Sequence, residues 1–214
     1  MTEYHKIQTI FQRDPENLKH LVIGAWTFPE FEYLANNPWE FTEKVDGTNI
    51  RVTIHPKGDI LFGGKTDAAS IPAPLVKRLV DRFHTQEQLL WEKFPQGATL
   101  YGEGYGARIQ KGGGNYRQDQ DFVLFDALVT SEDGRQWWLQ RPNVEEVGAA
   151  LSLDVVPLIG RGTLHDMIEI VKNGFNSQWG DFMAEGIVAR PAVELRTRSG
   201  ARIITKLKHK DFPK

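Results

Sequence analysis

Residues 49–65, NIRVTIHPKGDILFGGK, constrain the fold more than any other stretch. Two strand-like runs, 49–55 and 59–65, flank a segment holding a Pro and a Gly, which is a hairpin signal. A hairpin commits its strands to antiparallel pairing, whereas parallel strands need a long crossover. The theme recurs along the chain. Residues 98–110 read as a strand running into a glycine-rich loop, 121–129 as a strand, and 132–140 as its hairpin partner. Residues 182–190 and 201–210 read as two late strands. Helices come between these runs. Residues 73–94 carry apolar side chains at helical spacing and predict one long helix. Residues 141–153 and 163–174 predict two more, the second with Thr163 as N-cap and Gly174 just past its end. Residues 14–26 predict a short capped helix or turn and then an apolar stretch. Strands in runs with helices inserted predict an α+β domain with mainly antiparallel sheets.

Composition narrows the function classes. The 214 residues suit one sizeable domain, and 40% hydrophobic with 25% charged residues can build a buried core. There is no cysteine, which excludes disulfides, thiol catalysis and cysteine-ligated zinc. The opening MTEYHKIQTIFQRD has no apolar signal core, and no apolar run reaches bilayer length, so the expectation is a cytoplasmic protein without a membrane partner. A formal net charge of −2 argues against strong nonspecific nucleic-acid binding. The distribution is uneven, because the tail from Arg196 to Lys214 is strongly basic with Asp211 as its only acid.

Two familiar chemistries fail on spacing. The stretch GDILFGGKT ends in Gly-Lys-Thr, but a phosphate-binding loop with Lys65 as its lysine needs glycine at position 59, which is Asp59. The six histidines show no H-x-x-x-H spacing for zinc, and there is no G-x-S-x-G nucleophile elbow.

Other residues call for partners. In a 201–210 strand, Lys206, Lys208 and Lys210 share one face, and stacked like charges repel unless they meet water or anions. Such a face is either an edge strand blunted by lysines or the floor of a polyphosphate site. Glu185, just ahead of Gly186 on a strand otherwise apolar, needs either an arginine or a divalent metal. Glu103 lies between glycines that allow another group close to the backbone. Phe125 reads first as a core side chain. Lys44 follows Glu43 and precedes Asp46 and Gly47. A lysine nucleophile must lose a proton whose ordinary pKa is about 10.4, and nearby cations favour that loss. An attacking amine, a metal-binding carboxylate and a lysine pair for departing phosphates describe nucleotidyl transfer to a protein lysine.

The segment KVDGTN matches the K-x-D-G motif, and the sequence resembles the covalent nucleotidyltransferases, namely DNA ligases, RNA ligases and capping enzymes. The resemblance runs in the family's order through EKVDGTNIR, GGKTD, YGEGYG, FVLFDA, AEGIVAR and ITKLKHKDF. Asn49, FDA and GEGYGARIQKGGGNY make it most similar to the nick-sealing RNA ligases. The resemblance implies a nucleotidyltransferase domain around an ATP cleft. It implies that Lys44 attacks the α-phosphate of ATP and forms lysine–AMP, with Mg²⁺ or Mn²⁺ as the metal. Glu43 would meet the adenine through its backbone, Asn49 the phosphate or metal waters, Glu103 the ribose, and Phe125 the adenine face. Glu185 would serve the metal, and Lys206 and Lys208 the α-phosphate and pyrophosphate. Asp46 and Gly47 of the motif complete the nucleotide set. Where the family often carries arginine after the nucleophile, this sequence has Lys65, which cannot fork around two oxygens, and Arg51 is a second candidate for that role. AMP would pass to an RNA 5′-phosphate, and a 3′-hydroxyl would then attack. Rival assignments are a capping-type guanylyltransferase, a DNA ligase and a noncatalytic nucleotide- or RNA-binding module. The chain is expected to be one adenylyltransferase domain, residues 1–214, without a C-terminal accessory domain, its grip on RNA supplemented by a partner protein.

Overall fold

The computed structural model describes residues 2–56 and 58–212. The chain divides into two compact units, Met1–His5 with Asp46–Val155, and Lys6–Val45 with Val156–Lys214.

The first unit is built on a sheet ordered Asp154–Val155, Gln120–Thr130, Ala98–Gly106, Thr48–Ile54, Ile60–Gly63, with Gln136–Trp138 also paired to Gln120–Thr130. Every pairing is antiparallel except that of the two-residue Asp154–Val155 strand. The expected hairpin is present, with Ile54 opposite Ile60. Lys57 in its turn lies outside the described residues. Strand alternation decides the two faces. Ile50, Val52 and Ile54 join Leu100 and Leu124 in a core sealed by Leu75, Leu79 and Phe83. Those last three recur at helical spacing on Ala73–Phe83, which is why that helix docks here. Asn49 and Arg51 take the opposite face of the sheet.

The long helix expected over residues 73–94 is interrupted. It ends at Phe83, a 3₁₀ turn follows at His84–Gln86, and Glu87–Lys93 resumes as a separate helix. The Thr85 hydroxyl donates to the Asp81 carbonyl at 2.9 Å and the Gln86 amide to the Arg82 carbonyl at 2.9 Å. Those side chains compete with the backbone for the carbonyls that a continuous helix would use.

The second unit holds a sheet ordered Gln8–Thr9, Thr205–Lys208, Gly186–Pro191, Trp39–Glu43, Leu158–Gly162, and a ribbon of Phe11–Arg13 with Leu21–Trp26. Only the Gln8–Thr9 pairing is parallel in the larger sheet. Phe41, Ile187 and Leu207 point into a core filled by Leu164, Met167 and Val171 of the Leu164–Asn173 helix. That helix starts as expected, with a capping box in which Thr163 and Asp166 bond each other's backbone N–H, and Gly174 follows with φ 75°.

The last strand is shorter than expected. It covers Thr205–Lys208, and a 3₁₀ turn over His209–Asp211 replaces its end, so Lys210 leaves the lysine face. The Asp211 carboxylate accepts the Lys208 backbone N–H at 3.1 Å and fixes that turn. Lys214 of the basic tail lies outside the described residues. Residues 14–20 form turns, not a helix, before the Leu21–Trp26 strand.

Candidate active site

In the second unit, the Gly186–Pro191 strand lies between Thr205–Lys208 and Trp39–Glu43. Lys208 stands opposite Gly186 on one side, and on the other the Lys44 backbone N–H donates to the Gly186 carbonyl at 2.9 Å. Two lysines therefore flank a residue with no side chain. A Cβ at Gly186 would collide with the Leu207 carbonyl and come within 2.7 Å of the Lys208 Cα. Glu185 stands one residue before the strand and occupies the space so formed. Its Oε2 accepts a hydrogen bond from the Lys44 ammonium at 2.6 Å, and its Oε1 forms an ion pair with the Lys208 ammonium at 2.6 Å. Its side chain is only 8% exposed. Burial alone would raise its pKa, but Lys44 and Lys208 override that and hold the carboxyl below its ordinary value.

Two further anchors hold this arrangement. Thr205 and Leu207 are buried, so Lys206 and Lys208 share the less buried face of their strand. Glu43 is 1% exposed, and its carboxylate accepts the Ser177 hydroxyl at 2.6 Å and the Gln178 N–H at 2.8 Å. Burial raises the Glu43 pKa, and those two donors partly offset it. The side chain thus ties the strand before Lys44 to the segment leading to Glu185. Ser177 and Gln178 were absent from the sequence reading, since nothing local marks a contact 134 residues away.

In the first unit, Asn49 and Glu103 face each other across neighbouring strands. The Asn49 Oδ1 is buried without a hydrogen-bond partner. Phe125 falls where the register shifts between Gln120–Thr130 and Ala98–Gly106, Asp126 pairing with Tyr101 and Leu124 with Gly102. It is the extra residue of a β-bulge, a device that re-aims one side chain. It is half-buried, with the Tyr4 ring edge-on at 5.1 Å between centroids. Gly47 packs against Gly104, and a Cβ there would overlap the Gly104 carbonyl and lie 2.8 Å from the Glu103 Cγ. The Asp46 backbone N–H donates to the Tyr116 hydroxyl at 3.2 Å, and Gln110 donates to the Gly47 carbonyl at 2.9 Å.

Arg51 is wholly buried; its Nε donates to the Gly64 carbonyl at 2.7 Å and its Nη2 to Asp67 at 2.9 Å. It holds the bend that carries Lys65, and Lys65 itself is exposed. The candidates thus form two sets. Glu43, Lys44, Glu185, Lys206 and Lys208 belong to the second unit, and Asp46, Gly47, Asn49, Arg51, Lys65, Glu103 and Phe125 to the first. Among the described residues no three His, Cys, Asp or Glu side chains cluster as a metal cage, and no helix is long and apolar enough to cross a membrane.

Residues 37–208 match the RNA ligase family, which is most of the chain, so the protein belongs to that family and carries its catalytic domain. Solved structures of a Naegleria gruberi RNA ligase share the fold. An alanine variant with ATP and Mn superposes with a TM-score of 0.67 at 17% identity, over 97% of this chain and 56% of that one. The same ligase with pyrophosphate gives 0.62 at 18% identity, over 84% and 52%. The chain therefore spans about half the length of the solved chains that it matches, 56% and 52%.

Proposed function

We infer that the protein is an ATP-dependent RNA ligase acting through a covalent lysine–AMP intermediate. The observation that carries this reading is Lys44, the motif lysine, held at 2.6 Å by Glu185 beside Lys208. Lys44 loses its proton to solvent, its Nζ bonds to the α-phosphorus of ATP, and the bond from that phosphorus to the bridging oxygen breaks, releasing pyrophosphate. Lys206 and Lys208 stabilise the charge that develops on the phosphates. AMP then passes to an RNA 5′-phosphate, and a 3′-hydroxyl displaces it to seal the strand. Glu103 and Phe125 offer a ribose acceptor and an adenine-stacking ring, in line with the family resemblance.

The residues fit a divalent cation held chiefly by the nucleotide's phosphates and by water, as Mg²⁺ often is. In the second unit Glu185 would offer a carboxylate; in the first, taken by itself, the unpartnered Asn49 Oδ1 is an acceptor suited to a metal-bound water. When bound, such a cation supplies neutralisation of phosphate charge.

The test is incubation with α-labelled ATP or GTP and Mg²⁺, then denaturing electrophoresis. Label is expected from ATP only, and none in Lys44→Ala. Labelling that survives in Lys44→Ala refutes Lys44 as the nucleophile, and preference for GTP moves the assignment to a capping enzyme. Sealing of nicked RNA duplexes, with DNA strands compared, tests the acceptor.

A further inference from the structure

A second concentration of charge lies in the first unit, apart from every residue assigned above to the nucleotide. A cavity of about 630 Å³ opens between the Ala73–Phe83 helix and the loop after Gly106, lined among others by Lys77, Arg78, Arg108, Asp81 and Asp119. Arg78 also reaches the buried Asp121 carboxylate, which accepts Arg78 at 2.9 Å, Arg82 at 2.6 Å and Arg117 at 2.6 Å. Arg117 also binds Asp119. Asp121 and Asp119 are therefore engaged by arginines, while Asp81 is exposed and makes no ion pair among the described residues. Lys77 and Arg108 are exposed and make no ion pair among the described residues, and the buried Arg78 Nε has no hydrogen-bond partner. Three cationic donors thus line one opening with capacity unused. Arg108 sits in the left-handed backbone region with φ 68°, which is uncommon for a residue with a side chain. The loop that presents Arg108 also bonds Asp46 through Tyr116 and Gly47 through Gln110, the Asp and Gly of the K-x-D-G motif.

We propose that Lys77, Arg78 and Arg108 form a site for a backbone phosphodiester of the RNA substrate, an inference that rests on the ligase reading. The lining holds one ammonium and two guanidinium groups against two carboxylates, Asp81 and Asp119, of which Asp119 is already paired with Arg117, and it has no aromatic face for a base, so it reads phosphate and not sequence. Phosphate contacts of this kind set the register of a strand and make its binding depend on salt. Each contact contributes about 0.9 to the slope of log affinity against log salt, a factor of about 8 at roughly 0.1 M.

The test uses the full chain and Lys77→Ala/Arg108→Ala, with binding of a nicked, 5′-phosphorylated RNA duplex followed by fluorescence anisotropy across a salt series. The double variant is expected to bind about 60-fold more weakly at roughly 0.1 M salt, with a slope smaller by about 2. Lys77→Arg is expected to bind like the parent. Thermal melting checks that the double variant is folded, and ATP self-labelling is read in parallel. An unchanged affinity and slope in the folded double variant overturns the proposal, as does a parent protein that fails to bind the duplex. Loss of ATP labelling with RNA affinity intact assigns the cavity to the nucleotide and overturns it equally. A parent that binds RNA with the expected slope change but never labels itself with ATP refutes the ligase reading and leaves the phosphate site standing.

Discussion

Replacing Glu185 by glutamine keeps its shape and removes its charge, and the consequences separate stability from chemistry. The carboxylate bridges two ammonium groups at 2.6 Å each, with its own side chain 8% exposed and each lysine 20% exposed. A hydrogen bond to a charged group in such a place is worth about 1.5–3 kcal/mol, and the glutamine amide retains part of it. The expected loss is about 2–4 kcal/mol, or a melting temperature lower by roughly 5–15 °C for a chain of this size. The chemical effect has its own sign. A neighbouring carboxylate favours the ammonium form of Lys44, and Lys208 disfavours it. Removing the carboxylate leaves Lys208 as the nearer influence, so the amine becomes reactive at lower pH. An ion pair worth about 1.4 kcal/mol corresponds to about one pH unit. The assay is the rate of acylation of Lys44 by an amine-selective reagent as a function of pH, read by peptide mass spectrometry without ATP or metal. The profile should move down by about one unit while ATP self-labelling falls by at least about a hundredfold, since the carboxylate that would be offered to the divalent cation is lost. An acylation profile that does not move would show that Glu185 does not hold Lys44 in solution, and the reasoning would fail.

Asp121→Asn should cost about 2–4 kcal/mol at pH 7, because three guanidinium groups lose a buried charge; chemical denaturation measures it. The folded carboxyl titrates at about 2 against an ordinary 3.8, so its stabilisation is complete above about pH 4 and disappears as pH falls towards 2. The variant should accordingly show a flatter loss of stability across that window. Arg51→Lys should destabilise by about 2 kcal/mol and raise hydrogen exchange in residues 64–67, since an ammonium cannot bond Gly64 and Asp67 in the fixed geometry of a guanidinium. Gly47→Ala should reduce self-labelling at least tenfold, because its Cβ has no room beside Gly104 and Glu103.

What could be read from the sequence was what is local. The Thr48–Ile54 and Ile60–Gly63 hairpin follows from alternation and a Pro/Gly turn, and the Leu164–Asn173 helix from its cap. The Trp39–Glu43 strand was missed because four of its five residues are buried, which leaves no alternation to detect. Lys44 was recognisable by its motif, but its partner Glu185 lies 141 residues away, and only the ordered resemblance linked them. Arg51 was read as a second phosphate ligand. Its burial and its bonds to Gly64 and Asp67 depend on a strand pairing that fixes which face it takes. The Asp121 cluster was invisible for the same reason, as Arg78 and Arg82 reach it from a helix 39–43 residues earlier.

The backbone N–H groups around Lys44 are committed to the sheet, while its ammonium is held chiefly by Glu185, with a longer bond of 3.5 Å to the Val45 carbonyl. The Lys44 N–H is bonded to Gly186, the Glu43 N–H to Pro157, and the Glu43 carboxylate to Ser177 and Gln178. Only the Nζ end can change partners without breaking the sheet. If the protein acts as inferred, activation is then an exchange of ionic partners, with Glu185 giving up Lys44 as phosphate and cation arrive. Such an exchange leaves the core untouched, so it costs neither apolar burial nor strand hydrogen bonds. It also gives Glu185 a part in the resting state, where one carboxylate compensates half the charge of two lysines. Two lysines beside one another without Glu185 would repel at short range, and they flank a glycine that offers no shielding side chain.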